Sequence, residues 1–413
     1  MEGSRHVAIV GAGHAGGRVV QHLRDLGYDG RISLIGDEPL PPYERPALSK
    51  ELLLGKLSAS ELTLGPAEFW KQDDKFDRIV ANVTRVHSGA RALILDDGRE
   101  LSFDTLVIAS GGRPRRLPIP GANLPGVRVL RTIPDALAIR ELLKPGASVV
   151  VIGAGVIGME VAASAASIGA SVEVLEAGDR ILARCLPEAA SAWLRGLHER
   201  HGVTIRTGAK VQSITPAAEI GTLQVAFERD DGVRDTLRAD MVLMAVGIDC
   251  TPTFLEGSGV EYGNGVRVDS HCRVPGVPWV YAVGDVAEVA DAATGAYVRQ
   301  ETWRNAENQA RAVAEYIQAG RTEPYVEIPW MWTDQYGRNI QVVGMPCPGD
   351  EVVVRQELGD GPGCLVWFRN GCVAGGVLVD SGRERKALEA LVARRAAPTR
   401  ESVVAARRLK DLE

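Results

Sequence analysis

The chain has 413 residues, 45% hydrophobic and 24% charged, with a net charge of −6 at pH 7. That length exceeds one ordinary hydrophobic core and points to two or three domains. The acidic balance, with no basic stripe and no interleaved aromatics, excludes a dedicated nucleic-acid binder.

Six cysteines occur, at Cys185, Cys250, Cys272, Cys347, Cys364 and Cys372. None forms a C-x-x-C pair, and none precedes Cys185, so neither a disulfide framework nor a zinc site is expected. A reduced cytoplasmic compartment fits this usage. The charged stretch Met1–His6 leads directly into a short strand, so no signal peptide is expected. A long apolar stretch at 148–175 has the composition of a membrane span, but its glycines and β-branched runs suit a buried strand–turn–helix–strand better. No membrane association is expected.

The first predicted unit runs from His6 to Asp37. Val7 to Val10 form a buried strand that enters Gly11-Ala12-Gly13-His14-Ala15-Gly16. A helical apolar pattern follows at Val19, Val20, Leu23 and Leu26, and Gly27 breaks it. Ile32 to Ile35 make a second strand, and Asp37 stands just past it with Gly36 between. This is a dinucleotide fingerprint in its structural context. Gly11 permits the tight turn, Gly13 lets backbone approach a pyrophosphate, and Gly16 lets helix and strand pack closely. The helix N-terminus offers free N–H groups to phosphates.

Prolines from Pro39 to Pro46 then enforce an irregular loop. Within it Arg45 and Lys50 either face an anion or belong to an ordinary connection, and Ser49 is predicted to cap a short helix through Leu54. Asp97-Gly98 signals a hairpin. Leu101 to Ile108 reads as a buried strand ending in Ala109-Ser110-Gly111-Gly112, and Pro114 to Gly126 reads as a domain exit.

The opening unit then repeats. Ser148 to Ile152 is a strand, Gly153-Ala154-Gly155-Val156-Ile157-Gly158 a second fingerprint, and Ser171 to Leu175 a strand ending on Glu176. Two copies, each between strand and helix and each followed by an acid, predict two bound dinucleotides. A carboxylate such as Glu176 accepts hydrogen bonds from ribose hydroxyls and repels a 2′-phosphate, which favours NADH over NADPH. Arg180 lies close enough in sequence to soften that preference.

Met241 to Val246 closes the second unit before Gly247. Trp279 to Val283 is a strand ending in Gly284-Asp285, where ligands of open α/β sheets bind. Asp285 also suits the cap of a helix starting at Val286. Glu301-Thr302-Trp303-Arg304 opens a helix to about Ala319, with Arg304 and Arg311 on one face. Trp330, Trp332 and Tyr336 either fill a core or wall a flat ring. The tail from Arg383 is charged and helical.

Together these pieces resemble the NADH-dependent ferredoxin reductases of bacterial oxygenase systems. The resemblance covers nearly the whole chain. It is carried by GAGHAG (11–16), YERPALSK (43–50), ASGGRPR (109–115), LRT (130–132), GAGVIGMEVA (153–162), YAVGD (281–285), ETWRNAENQAR (301–311) and WMWTDQ (330–335). It implies an α/β fold with two Rossmann-like, glutathione-reductase-like domains and a C-terminal α+β domain. FAD binding would fall to 1–113 and 246–320, NADH binding to 114–245, and flavin cover to 321–413. The residues matching FAD-contacting positions are Gly11, Gly13, His14, Ala15, Gly16, Asp37, Arg45, Lys50, Val83, Ala109, Gly111, Arg131, Gly284, Asp285, Glu301, Thr302 and Trp303, the last against the isoalloxazine. Those matching NADH positions are Gly153, Gly155, Val156, Ile157, Gly158, Glu160, Glu176 and Gly247. A Lys50–Glu160 pair beside the flavin would position the reacting rings.

The implied acceptor is a small acidic iron–sulfur ferredoxin of the [2Fe–2S] type, docked by Arg304, Arg311 and the basic tail, which passes electrons to an oxygenase. Two other readings share the architecture: an NADH oxidase or peroxidase, and a flavoprotein whose reduction switches a binding role. The peroxidase and disulfide-reductase chemistries need a redox cysteine, and none lies in the N-terminal domain.

Overall fold

The computed structural model describes residues 5–290 and 295–412, so Met1–Ser4 of the charged N-terminal stretch lie outside it. The chain forms two compact units. The first gathers Met1–Arg45, Ala59–Arg113 and Ile248–Glu327. Its sheet runs in the order Val280–Ala282, Thr105–Ile108, His6–Val10, Arg31–Gly36 and Phe76–Val80, all parallel. The strand His6–Val10 is central and covered on both faces, which is why Val7 to Val10 read as unbroken apolar sequence rather than alternation.

Helix His14–Asp25 buries Val19, Val20 and Leu23 in the core of this unit. Helix Trp303–Ala314 packs into the same core through Ala310, Ala312 and Val313. It continues as a π-helical turn, Glu315–Ala319, and stops at Gly320, whose φ of 69° is left-handed. That matches the helix end read at Ala319.

Local expectations fail at Leu101–Ile108 and at Ser49. The stretch Leu101–Ile108 is two strands, not one. Glu100–Ser102 pairs antiparallel with Ala92–Leu95, whereas Thr105–Ile108 joins the parallel sheet. The break falls at Phe103-Asp104, where the Asp104 carboxylate accepts the His6 N–H at 2.8 Å and fixes the turn into the parallel sheet. Ser49 caps no helix, because residues 46–55 are successive turns. Its hydroxyl is spent on a buried carboxylate instead.

The second unit gathers Pro46–Ser58, Pro114–Gly247 and Ile328–Glu413. Its parallel sheet runs Thr204–Arg206, Ser171–Leu175, Ser148–Ile152, Met241–Met244 and Val127–Arg128. Helix Val156–Ile168 starts at Gly155 and ends at left-handed Gly169. Helix Ile133–Leu142 begins with a capping box of Thr132 and Asp135. The strands Ala209–Pro216, Leu223–Arg229 and Arg234–Ala239 form an antiparallel meander. The C-terminal part is a five-stranded antiparallel sheet in the order Trp330–Gln335, Arg338–Val343, Cys372–Val379, Gly363–Arg369 and Glu351–Gln356. Helix Arg385–Ala393 buries Leu388 and Leu391 in the core of this part, with Val366, Phe368 and Leu378. Two Rossmann-like sheets and a C-terminal α+β part are thus present.

Among the described residues no helix is long and apolar enough to cross a membrane. The six cysteines form no disulfide, and Cys250, Cys272 and Cys364 are buried.

Candidate cofactor cradles and buried ion pair

In the first unit the first fingerprint forms a glycine cradle. A Cβ on Gly11, whose φ is 114°, would lie 2.2 Å from the Ala109 carbonyl oxygen. One on Gly16 would lie 1.9 Å from the Gly11 carbonyl oxygen. These two glycines let strand, turn and helix touch. Gly13 does something else, since the space over its Cα meets only the Arg45 guanidinium, at 3.6 Å. The cradle therefore suits a pyrophosphate laid across Gly13 and the free N–H groups of helix His14–Asp25.

The strand ends add further residues. Gly284 lies against Ala15, since its Cβ would approach the Ala15 Cβ to 3.0 Å, and its N–H donates to Gln309 at 2.7 Å. Asp285 sits in a single 3₁₀ turn, Gly284–Val286, which runs into a strand. The expected helix at Val286 is absent, so Asp285 caps none. Gly111 has a left-handed φ of 60°. Gly36 is the last residue of its strand, so Asp37 follows the strand directly with no gap, in the same place that Glu176 takes after Leu175. Arg45 pairs with Glu38 at 2.8 Å. Val83 opens the strand Val83–His87 and is half-buried. Lys50 and Arg131, matched to the same FAD set, belong to the second unit, and Arg131 immediately precedes the Thr132 cap.

A polar cluster surrounds Trp303 in the first unit. Thr302 caps its helix by accepting the Asn305 N–H at 3.2 Å. The Trp303 indole N–H donates to Glu44 at 2.6 Å, and the ring lies 5.0 Å from the His14 imidazole. His14 lies 3.0 Å from Glu307, and Arg18, one turn on, contacts the same oxygen at 2.7 Å. Burial alone would lower the His14 imidazole, but hydrogen bonds to Glu307 and Glu44 hold it above its usual range. Burial would raise Glu307, yet His14, His22 and Arg18 hold its carboxyl far below the usual carboxylate range. Glu301 accepts from Arg299 at 3.0 Å.

In the second unit the second fingerprint repeats the design. A Cβ on Gly158 would lie 2.1 Å from the Gly153 carbonyl oxygen, whereas Gly155 has nothing within 4 Å. Val156 and Ile157 form the first turn of the helix, and Ile157 is exposed. The Glu176 carboxylate accepts the N–H of Ala154 at 2.6 Å and of Gly178 at 2.7 Å. It is thereby fixed beside the cradle with lone pairs left for ribose hydroxyls. Arg180 donates to the carbonyls of Leu186 and Ala183 at 2.6 and 2.9 Å, so its guanidinium is engaged by backbone. Gly247, with φ 96°, has open space over its Cα.

The same unit contains a buried ion pair. Lys50 Nζ lies 3.2 Å from Glu160 Oε1, and both residues are under 10% exposed. Glu160 also accepts from the Ser49 hydroxyl and, at 2.7 Å, from Thr333. Burial pushes the Glu160 carboxyl up, against the pull of Lys50 and both hydroxyls. Lys50 Nζ stands 5.7 Å from the centre of the Trp332 ring, which stacks on Trp330 at 5.1 Å. Ser49, Thr333 and Gln335 were not singled out from sequence. Strand alternation was the available signal: in Trp330–Gln335 the fully buried positions are Thr333 and Gln335, two apart.

Arg304 and Arg311 differ in setting. Arg304 pairs with Glu327 at 2.7 Å and is only 15% exposed, whereas Arg311 is exposed. In the tail, Arg400 is engaged by Glu351 and Arg408 by Asp411. Among the described residues no cluster of His, Cys, Asp and Glu could hold a metal ion.

These cradles define a two-dinucleotide oxidoreductase fold. Residues 5–310 match the pyridine nucleotide-disulphide oxidoreductase model, and 330–412 match the reductase C-terminal model. The chain belongs to the pyridine nucleotide-disulphide oxidoreductase family. It is 38% identical to the ferredoxin–NAD(+) reductase component of the p-cumate 2,3-dioxygenase system of Pseudomonas putida, covering 86% of this chain and 85% of that protein. The ferredoxin reductase for the CYP199A2 system of Rhodopseudomonas palustris superposes with a TM-score of 0.90 at 32% identity, covering 98% of this chain and 99% of that one. The putidaredoxin reductase–putidaredoxin covalent complex also gives 0.90, at 31% identity, covering 99% of this chain and 98% of that one. The resemblance drawn from the sequence motifs is borne out by these relatives.

Proposed function

We propose that this oxidoreductase binds FAD at the first fingerprint and NADH at the second, and reduces a ferredoxin that feeds an oxygenase. The observation that carries the reading is the pair of equivalent glycine cradles, each followed directly by an acid, Asp37 and Glu176. When bound, a flavin supplies the exchange between a two-electron hydride donor and a one-electron acceptor.

The chain's own residues then bind and orient. Gly13 and the first turn of helix His14–Asp25 receive a pyrophosphate. Asp37 and Glu176 accept ribose hydroxyls, and Glu176 disfavours a 2′-phosphate. Asp285 is assigned to the flavin's polyol chain and Trp303 to its ring. Lys50 and Glu160 position the nicotinamide against the flavin. Residues 1–113 and 246–320 form the FAD domain, 114–245 the NADH domain, and 321–413 the cover. The acceptor is a small acidic [2Fe–2S] protein attracted by Arg311 and neighbouring basic residues, and the setting is cytoplasmic.

The test is to mix the flavin-loaded protein with NADH, a purified ferredoxin and cytochrome c as final acceptor. Cytochrome reduction that requires ferredoxin supports the reading. Turnover with peroxide or quinone in place of ferredoxin overturns it.

A further inference from the structure

Glu160 is held by more than its ion pair. A chain of hydrogen bonds runs from it within the second unit. Thr333 Oγ1 lies 2.7 Å from Glu160 Oε1, and Gln335 Nε2 lies 2.9 Å from Thr333 Oγ1. Gln335 Oε1 lies 2.6 Å from His198 Nε2, and His198 Nδ1 lies 3.0 Å from the Tyr336 hydroxyl. Glu160, Thr333, Gln335 and His198 are all under 5% exposed.

The direction of every proton is set from the Glu160 end. An ionised carboxylate only accepts, so Thr333 donates to it. Thr333 then receives from the Gln335 amide, which turns the Gln335 carbonyl toward His198. That carbonyl needs a donor, so His198 carries its proton on Nε2 and accepts from Tyr336 on Nδ1. The four links share one polarity, and all of it points at Glu160. Burial pushes the His198 imidazole down to about 4, so the ring is neutral, as this arrangement needs. Lys50 is the charged group paired with Glu160, and His201 stacks on Tyr336 at 3.9 Å at the far end.

Buried polar groups cost free energy unless bonded, and apolar side chains would fill the same space without that cost. The three elements involved are helix Val156–Ile168, strand Trp330–Gln335 and helix Glu188–Arg200. We infer that His198, acting through Gln335 and Thr333, is a positioning residue that holds the Glu160 carboxylate ionised and turned toward Lys50. This rests on the reading of Lys50 and Glu160 as the nicotinamide-side pair. Hydrogen bonds to the charged form of a carboxyl lower its proton affinity, and loss of a donor raises it.

The test uses the full-length flavin-loaded protein and reads Glu160 by infrared difference spectroscopy, with Glu160→Gln identifying its carboxyl band. Thr333→Val, Gln335→Met and His198→Phe should each move the protonation midpoint of Glu160 up by about one pH unit, a tenfold change in proton affinity. His198→Gln should restore the wild-type midpoint, because its amide donates to Gln335 and accepts from Tyr336. The pH profile of flavin bleaching by NADH should move with the infrared midpoint. If His198→Phe does not fold, Gln335→Met decides, because it cuts the chain with the imidazole in place. Thr333→Val and Gln335→Met titrating as wild type, with normal bleaching by NADH, overturn this assignment alone. No bleaching in the wild type overturns the functional reading and this assignment with it.

Discussion

Trp303 donates its indole N–H to Glu44 over 2.6 Å, and Glu44 lies 3.4 Å from His14 Nδ1. The residue assigned to the flavin ring is thus tied, within one unit, to the fingerprint helix and through His14 to Glu307.

This cluster makes stability depend on pH. His14 is held above its ordinary value, so its contribution is complete below about pH 6.5 and is lost as pH rises through the folded value. Glu307 and Glu44 are held low, so theirs is present above about pH 4.5 and lost on acidification. Denaturant midpoints should therefore fall from pH 6 to pH 8.5, and His14→Gln should abolish that part of the slope. Glu307→Gln leaves His14, Arg18 and His22 facing one another and should cost about 3 kcal/mol in urea unfolding at pH 6.

Removing the Glu160 carboxylate strands a buried Lys50 charge. Glu160→Ala should lower stability by about 3 kcal/mol. It should also slow flavin reduction by NADH about 10- to 100-fold in stopped flow, the usual cost of misplacing reacting groups. Reduction at the wild-type rate would refute the positioning role.

Glu176 holds two backbone N–H groups and faces the second cradle. Glu176→Gln should raise the KM for NADH about tenfold with little change in kcat, since it removes an interaction made equally in ground and transition states. The preference for NADH over NADPH should shrink in the same experiment. An unchanged ratio of kcat/KM values would remove Glu176 from the specificity determinants.

Charge should govern the acceptor step and not the donor step. Ferredoxin reduction should slow steeply with added salt while flavin bleaching by NADH barely changes. Arg311→Glu should slow ferredoxin reduction about threefold or more at low salt. Arg304→Ala should act chiefly on stability, because Arg304 is mostly buried against Glu327. Salt-independent transfer to ferredoxin would sink the docking assignment.

The fingerprints were legible because their glycines and apolar runs obey local rules of turn geometry and burial. Gly11, Gly16, Gly153 and Gly158 each stand where a side chain would collide with backbone, and sequence spacing alone marked them. The helix end at Gly320 was legible for a different local reason, the left-handed φ of 69° that favours glycine past a helix end. Ser49 was misread because capping propensity is local, whereas its partner Glu160 is 111 residues away in sequence. His198 and Gln335, separated by 137 residues, had no local signature, and only the fold brings them together. The break at Phe103-Asp104 was missed because Asp104 turns the chain by binding His6, from a distant strand. Long-range polar pairs are what the apolar periodicities do not encode.

The most direct measurement is cytochrome c reduction by NADH with the flavin-loaded protein, with and without a purified ferredoxin. Reduction that depends on both NADH and ferredoxin is the predicted result. NADH consumption that ignores ferredoxin and follows peroxide or quinone instead would contradict the assignment.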